Sequence, residues 1–104
     1  MIELTLQAIP NQILSIQLEN NSYQIEIRTI DINNKMAISI YRNQEIVIQG
    51  LELLGNIGII PFRYLENGNF VMTTMDDELP DYTKFGITQF LNYVTVAELA
   101  AARA

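Results

Sequence analysis

The chain has 104 residues, of which 49% are apolar and 17% charged, enough for one hydrophobic core and too few for two. Its formal charge of −6, with six Lys and Arg scattered singly, excludes the basic patch that phosphate recognition needs, and the lack of His and Cys excludes disulfides, thiolate chemistry and the commonest transition-metal ligands. Apolar runs fall far short of the roughly 20 residues that span a bilayer, and MIELTLQAIP carries an acid at Glu3 with no basic cluster, unlike a signal peptide; a soluble single domain over 1–104, with no membrane segment and no specific nucleic acid partner, is expected.

Period-two alternation begins at once. Ile2, Leu4 and Leu6 alternate with Glu3, Thr5 and Gln7, and after Pro10-Asn11 the apolar positions Leu14, Ile16 and Leu18 alternate with Ser15, Gln17 and Glu19, the pattern of half-buried strands. Asn20-Asn21 tolerates positive φ and interrupts the run. Tyr23, Ile25 and Ile27 then alternate with Gln24, Glu26 and Arg28, so a hairpin is predicted. A second pair, Asn33-Asn34, leads to Met36, Ile38 and Ile40, and Arg42-Asn43-Gln44 turns the chain into Ile46 and Ile48. Abundant Ile and Val favour strands, because branching at Cβ packs well on a pleated surface. The first fifty residues therefore read as a meander of five short strands. From Leu51 to Ile60, LELLGNIGII sets Gly55 and Gly58 within an apolar run, which fits either a bulged strand or a loop plugged into the core.

In PFRYLENGNF, residues 61–70, Asn67-Gly68 is a strong hairpin signal, because a type I′ turn needs positive φ at both central positions. A two-residue loop there sets Leu65 opposite Phe70, Tyr64 opposite Val71, Arg63 opposite Met72 and Phe62 opposite Thr73. Leu65, Phe70 and Met72 then share one face and Phe62, Tyr64 and Val71 the other. In a two-layer domain one such face meets the core. The other is either covered by the C-terminal helix or left as a partner-binding patch around Phe62, Tyr64 and Asn67. Seven of the nine aromatic residues lie between Phe62 and Tyr93, which reads first as core volume in a chain without Trp.

TTMDDELPDYTKFG reads as an acidic loop as far as Pro80, and Phe85, Ile87, Phe90 and Tyr93 follow in no clear period. Thr95-Val96-Ala97-Glu98 has the form of a capping box, with Val94 and Leu99 spaced for a hydrophobic staple, so a short helix over about 96–103 is predicted. The fold class is mainly β: an antiparallel meander closing into a barrel or sandwich, with one short C-terminal helix.

Catalytic chemistry finds no foothold in these residues. No general base of the usual kind and no Gly-rich phosphate loop are present. Asp76, Asp77, Glu78 and Asp81 form the one plausible cation site, but their spacing lacks the turn glycine and late glutamate of the helix-loop-helix calcium signature, so a solvated loop is the simpler reading. No cofactor, metal or catalytic residue is assigned. Arg63 fits either a contact with an acid of a neighbouring subunit or a side chain reaching to water beside Met72, and Lys84 has the same two readings.

IPNQ at 9–12, YQIEIRTI at 23–30, IIPFRYLENGNF at 59–70 and DDELPDYTKFGITQFLNYVTVAEL at 76–99, in this order and spacing, resemble the small phage protein family of the contractile-tail baseplate plug, described for a cyanophage. The resemblance implies a virion component of the tail baseplate, made in the host cytoplasm. Such a component has no enzymatic activity. It sits where the tail tube meets the hub and closes the lumen until contraction, with the hub, the tail-tube proteins and the tape-measure protein as partners. The docking surfaces expected in that role are Phe62, Arg63, Tyr64 and Asn67 on the hairpin, with Tyr82, Lys84 and Phe85. A small tail-tube or tube-initiator subunit, or a phage accessory module that binds host proteins, would share this composition.

Overall fold

The computed structural model describes residues 1–103. Among them the chain forms seven strands, β1 (Ile2–Leu4), β2 (Asn11–Leu18), β3 (Asn21–Thr29), β4 (Met36–Arg42), β5 (Glu45–Glu52), β6 (Asn69–Thr74) and β7 (Gln89–Val94), and one helix, α1 (Val96–Ala102). The strands make two antiparallel sheets, β2-β3-β4-β5 and β1-β7-β6. They are stacked as in a sandwich and do not close into a barrel, so of the two closures the sequence left open, the barrel is ruled out.

Alternation explains the first sheet. β2 and β3 pair from Asn11↔Arg28 to Leu18↔Asn21, which puts Leu14, Ile16 and Leu18 on the same face as Tyr23, Ile25 and Ile27. β4 adds Met36, Ile38 and Ile40 to that face. The turn falls on Glu19-Asn20, one residue earlier than Asn20-Asn21, with φ of 49° and 67°. Both signs are those of the turn that matches strand twist. Asn43-Gln44, with φ of 52° and 70°, turns β4 into β5 in the same way.

Two expectations for this half fail. β1 is not the first strand of the meander: it pairs with β7, Ile2↔Tyr93 to Leu4↔Leu91, in the second sheet. Residues 5–10 carry the chain across, and the Gln12 carboxamide bonds both main-chain groups of Gln7, accepting from its N–H at 3.1 Å and donating to its C=O at 2.7 Å. In β5 the inward pair is Val47 and Ile48, while Ile46 faces solvent. The pairing with β4 slips between Ile38 and Ile40 and again between Ile40 and Tyr41, and a bulge reverses which side chain points inward.

Of the run 51–60, Leu51 and Glu52 end β5, and 53–60 is a loop plugged into the core. Leu53, Ile59 and Ile60 are buried, while Asn56 N–H donates to Met72 O and Ile59 N–H to Phe70 O, each at 2.8 Å. The loop thus lies along the outer edge of β6. β7 hid its alternation because one inward position is a glutamine: Gln89, Leu91 and Tyr93 are all buried. Gln89 accepts from Asp81 N–H at 2.8 Å and donates to Leu79 O at 2.9 Å, so its carboxamide bonds the 79–81 segment as a strand would. At α1 the predicted capping box is formed, with Thr95 Oγ1 accepting from Glu98 N–H at 3.2 Å and Glu98 Oε1 from Thr95 N–H at 3.0 Å.

Three rings join the sheets. Tyr23 of β3 meets Phe70 of β6 edge-on at 5.2 Å, and Tyr93 of β7 lies 5.2 Å from Phe70 and 6.0 Å from Tyr23, centroid to centroid. Their polar ends are satisfied together. Tyr23 Oη donates to Asn67 O at 2.9 Å. Tyr93 Oη has Glu19 Oε2 at 2.8 Å and Asn67 O at 3.1 Å; with one proton to give, it favours the nearer, charged acceptor. The same carboxylate lies 3.3 Å from Val96 N at the start of α1. One side chain in a β-turn thereby ties both sheets to the helix.

Two predictions follow from the packing at Tyr93. Gly68 has φ +79°, and a Cβ there would lie 2.0 Å from Tyr93 Oη. Gly68→Ala is therefore expected to destabilise the chain by about 2–4 kcal/mol, clash added to backbone strain. Urea unfolding measures it, and a midpoint equal to wild type would refute the assignment. Burial, and then the hydrogen bond to Glu19, push the Tyr93 phenol above the usual tyrosine range. A raised folded-state pKa stabilises fully below the unfolded value near 10 and is lost as pH rises beyond it. Stability should therefore fall above about pH 10, and Tyr93→Phe, costing about 1–3 kcal/mol at pH 7, should flatten that fall in urea titrations across pH 8–11.

Candidate docking surface

The expected hairpin at Asn67-Gly68 does not form. Gly68 takes positive φ and Asn67 does not, so the type I′ turn lacks its first central residue. Residues Arg63–Leu65 wind instead into a 3-10 turn, and β6 pairs on its inner side with β7, Phe70↔Tyr93 and Val71↔Asn92. On its outer side Val71 is bridged to Gly58, where Tyr64 was expected. A Cβ on Gly58 would meet Asn69 Nδ2 at 2.9 Å, so the close approach needs glycine.

The reason lies in Asn69. Its buried carboxamide accepts from Ile60 N–H at 2.9 Å and donates to Ile60 O at 3.1 Å and to Glu66 Oε2 at 2.6 Å. Side-chain bonding to Ile60 replaces the main-chain ladder that a hairpin would have made. Pro61 has no N–H to offer that ladder. Two further contacts hold the segment, Arg42 Nη2 donating to Leu65 O at 2.8 Å and the tyrosine hydroxyls at Asn67 O.

Between these anchors the chain bulges outward and presents two rings. Phe62 is 52% and Tyr64 83% exposed, with centroids 5.8 Å apart. Arg63, between them, is exposed as well. Pro61 also borders a shallow hollow of about 260 Å³ whose apolar lining includes Leu51, Leu54, Ile57 and Ile59. Leu51, Leu54 and Ile57 are exposed. Sequence reading did not select them, although an apolar run interrupted by two glycines was the available signal. Asn67 has an exposed residue surface, but its carbonyl belongs to the tyrosines. Arg63 and Asn67 line a second hollow of about 310 Å³ beside α1, with Glu66, Leu99 and Arg103.

The second expected surface is different in kind. Phe85 is 3% exposed and part of the core, so its ring is not available for docking; the expectation for Phe85 is corrected, because the bridge Phe85↔Gln89 turns the chain inward. Tyr82 is half-buried against the same core. Lys84 Nζ donates to Glu78 Oε2 at 2.8 Å and Thr88 Oγ1 to Glu78 Oε1 at 2.6 Å. Those bonds hold the Glu78 carboxyl below its usual range and the Lys84 ammonium above its own. For Asp81, burial pushes the carboxyl up, but bonds from Thr83 N–H and hydroxyl and from Asn34 outweigh it and the net shift is downward. Asp81 thus starts the 3-10 turn Tyr82–Lys84. Asp76 and Asp77 are exposed. The four acids are divided between separate tasks, and among the described residues no group of three or more His, Cys, Asp or Glu is gathered as a metal site.

Phe62, Arg63 and Tyr64 therefore form one platform, and Tyr82 and Lys84 belong to another segment. No helix among the described residues is long and apolar enough to cross a membrane. A search of curated proteins finds no match. The family model described as the cyanophage baseplate Pam3 plug gp18 matches residues 1–97. With nearly the whole chain matched, from β1 to the first turn of α1, this protein belongs to the cyanophage baseplate plug family, a structural component of the phage tail baseplate.

Proposed function

We propose that the protein closes the tail tube at the baseplate hub before contraction, as a non-enzymatic plug that docks through the Phe62–Tyr64 platform and the adjoining apolar hollow. The observation that carries this reading is the pinned pair of exposed rings in a chain of the plug family. Docking orders few new degrees of freedom when main-chain bonds at Ile60, Leu65 and Asn67 already hold the turn. A pre-ordered aromatic patch is the usual centre of a tight interface. Hub and tail-tube proteins are the partners of this reading, with the tape-measure protein at the lumen end. Arg63 suits an acid on the rim of that contact. The charge of −6 disfavours contact with packaged DNA in the lumen. Contraction would then withdraw the neighbouring subunits and leave the plug without its support.

Phe62→Ala combined with Tyr64→Ala is expected to leave the isolated chain folded, with Tm within about 3 °C of wild type because both rings are exposed. Incorporation into particles should fall at least about tenfold, the loss of roughly 1.4 kcal/mol or more of docking energy, counted by quantitative mass spectrometry of purified virions against the hub protein. Wild-type occupancy of the double variant would move the docking face elsewhere. Absence of the wild-type chain from intact particles would end the plug reading.

A further inference from the structure

A two-sheet protein has four outer edges, and natural sheets guard such edges against unwanted pairing by shortness, bulges, charge or cover. β6 is covered, with Asn56 N–H and Ile59 N–H bonded to its carbonyls. β1 is three residues long. β5 carries two register slips, Gly50 at φ +63° and an acid at each end, Glu45 and Glu52. β2 has none of these. It runs eight residues, NQILSIQL, in unbroken register with β3 and without a charged side chain, a proline or a bulge. Among the described residues nothing is bridged to its outer side.

The direction of its main-chain groups is fixed by the ladder. Pro10 O accepts from Thr29 N–H at 3.0 Å, so even-numbered residues of this segment bond toward β3. Ser22, paired with Gln17, accepts at its C=O from Asn43 N–H at 2.7 Å on the side away from β2. Ile13, Ser15 and Gln17 therefore turn their N–H and C=O groups outward.

We propose that β2 pairs antiparallel with β2 of a second copy about a two-fold axis at Ser15, making one continuous eight-stranded sheet. The strand is complementary to itself in this register. Ser15 meets Ser15 of the second copy, Ile13 meets Gln17, and Leu14 meets Ile16, with about six main-chain hydrogen bonds in all. Leu14 and Ile16, half-buried at the margin of the core, become covered. Ile13, 59% exposed, packs along the stem of the partner's Gln17. No like charges face each other, although each copy carries −6, because residues 11–18 are neutral. The inference is independent of the plug reading and leaves the Phe62–Tyr64 platform free.

The test is sedimentation equilibrium of the wild-type chain up to about 1 mM, the weak end expected for a contact of little more than one strand pair. The expected result is a mass rising from 11.9 kDa toward twice that value. Ser15→Pro removes an N–H that points away from β3, so the ladder to β3 is kept while pairing is blocked. Dimerisation at least about tenfold weaker, with an unchanged circular dichroism spectrum, is expected. If the proline variant unfolds, Ser15→Lys tests the same contact by repulsion across the axis. Hydrogen exchange of the Ile13, Ser15 and Gln17 amides should slow with concentration. A wild-type chain that stays monomeric, or a dimer unaffected by both variants, overturns the proposal. A monomer whose Ser15→Lys variant fails to enter particles also overturns it and gives the edge to another baseplate protein.

Discussion

Two tyrosine hydroxyls meeting at the carbonyl of Asn67 set the position of the segment that leads into β6. Tyr23 belongs to one sheet and Tyr93 to the other, and their rings close on Phe70. With the rings fixed, the Tyr23 hydroxyl donates to Asn67 O at 2.9 Å, and Tyr93 Oη lies 3.1 Å from the same oxygen. Gly68 is required next to it because any Cβ would collide with Tyr93. The Glu19 carboxylate accepts from the Tyr93 hydroxyl at 2.8 Å and lies 3.3 Å from the amide nitrogen that starts α1. A buried phenol without a partner costs about as much as a lost hydrogen bond with full desolvation, so each of these contacts bears on stability.

Carboxamides extend the same logic to the loops. Gln12 bonds both main-chain groups of Gln7, Asn69 those of Ile60, and Gln89 spans Leu79 and Asp81. Asn56 does likewise with Thr74, accepting from its N–H at 3.0 Å and reaching its carbonyl at 3.4 Å. An amide side chain has the donor and acceptor of a peptide group, so it can stand in for a strand where the chain itself cannot align. These bonds supply partners to main-chain groups of irregular segments that have no strand beside them.

The surface divides according to that construction. Apolar rings project from the segment pinned at both ends, whereas Glu78 and Asp81 are occupied by Lys84, Thr88 and Thr83, Glu26 by Arg28, Glu66 by Asn69 and Arg103, and Glu98 by the N-terminus and Thr95. The groups with shifted pKa values, such as Glu78, Asp81, Lys84 and Tyr93, each have burial or a structural partner that accounts for the shift. A structural role in the baseplate fits a molecule whose polar side chains largely bond its own loops.

Local pattern determined the inward faces of β2, β3 and β4, the turns rich in Asn, the capped helix and, through motifs spread over the chain, the family. These depend on neighbours two to four residues away, and such neighbours can be read in order. Non-local contacts decided the rest. β1 left the meander because β7, some ninety residues later, offered an edge. Asn67-Gly68 lost its hairpin because Asn69 found Ile60 and Tyr93 occupied the space beside Gly68. Phe85 went inside and Phe62 stayed out, though both sit in aromatic, polar-flanked stretches. Side-chain amides bonding a distant backbone have no period and no fixed spacing, so only the folded chain brings their partners within hydrogen-bond distance.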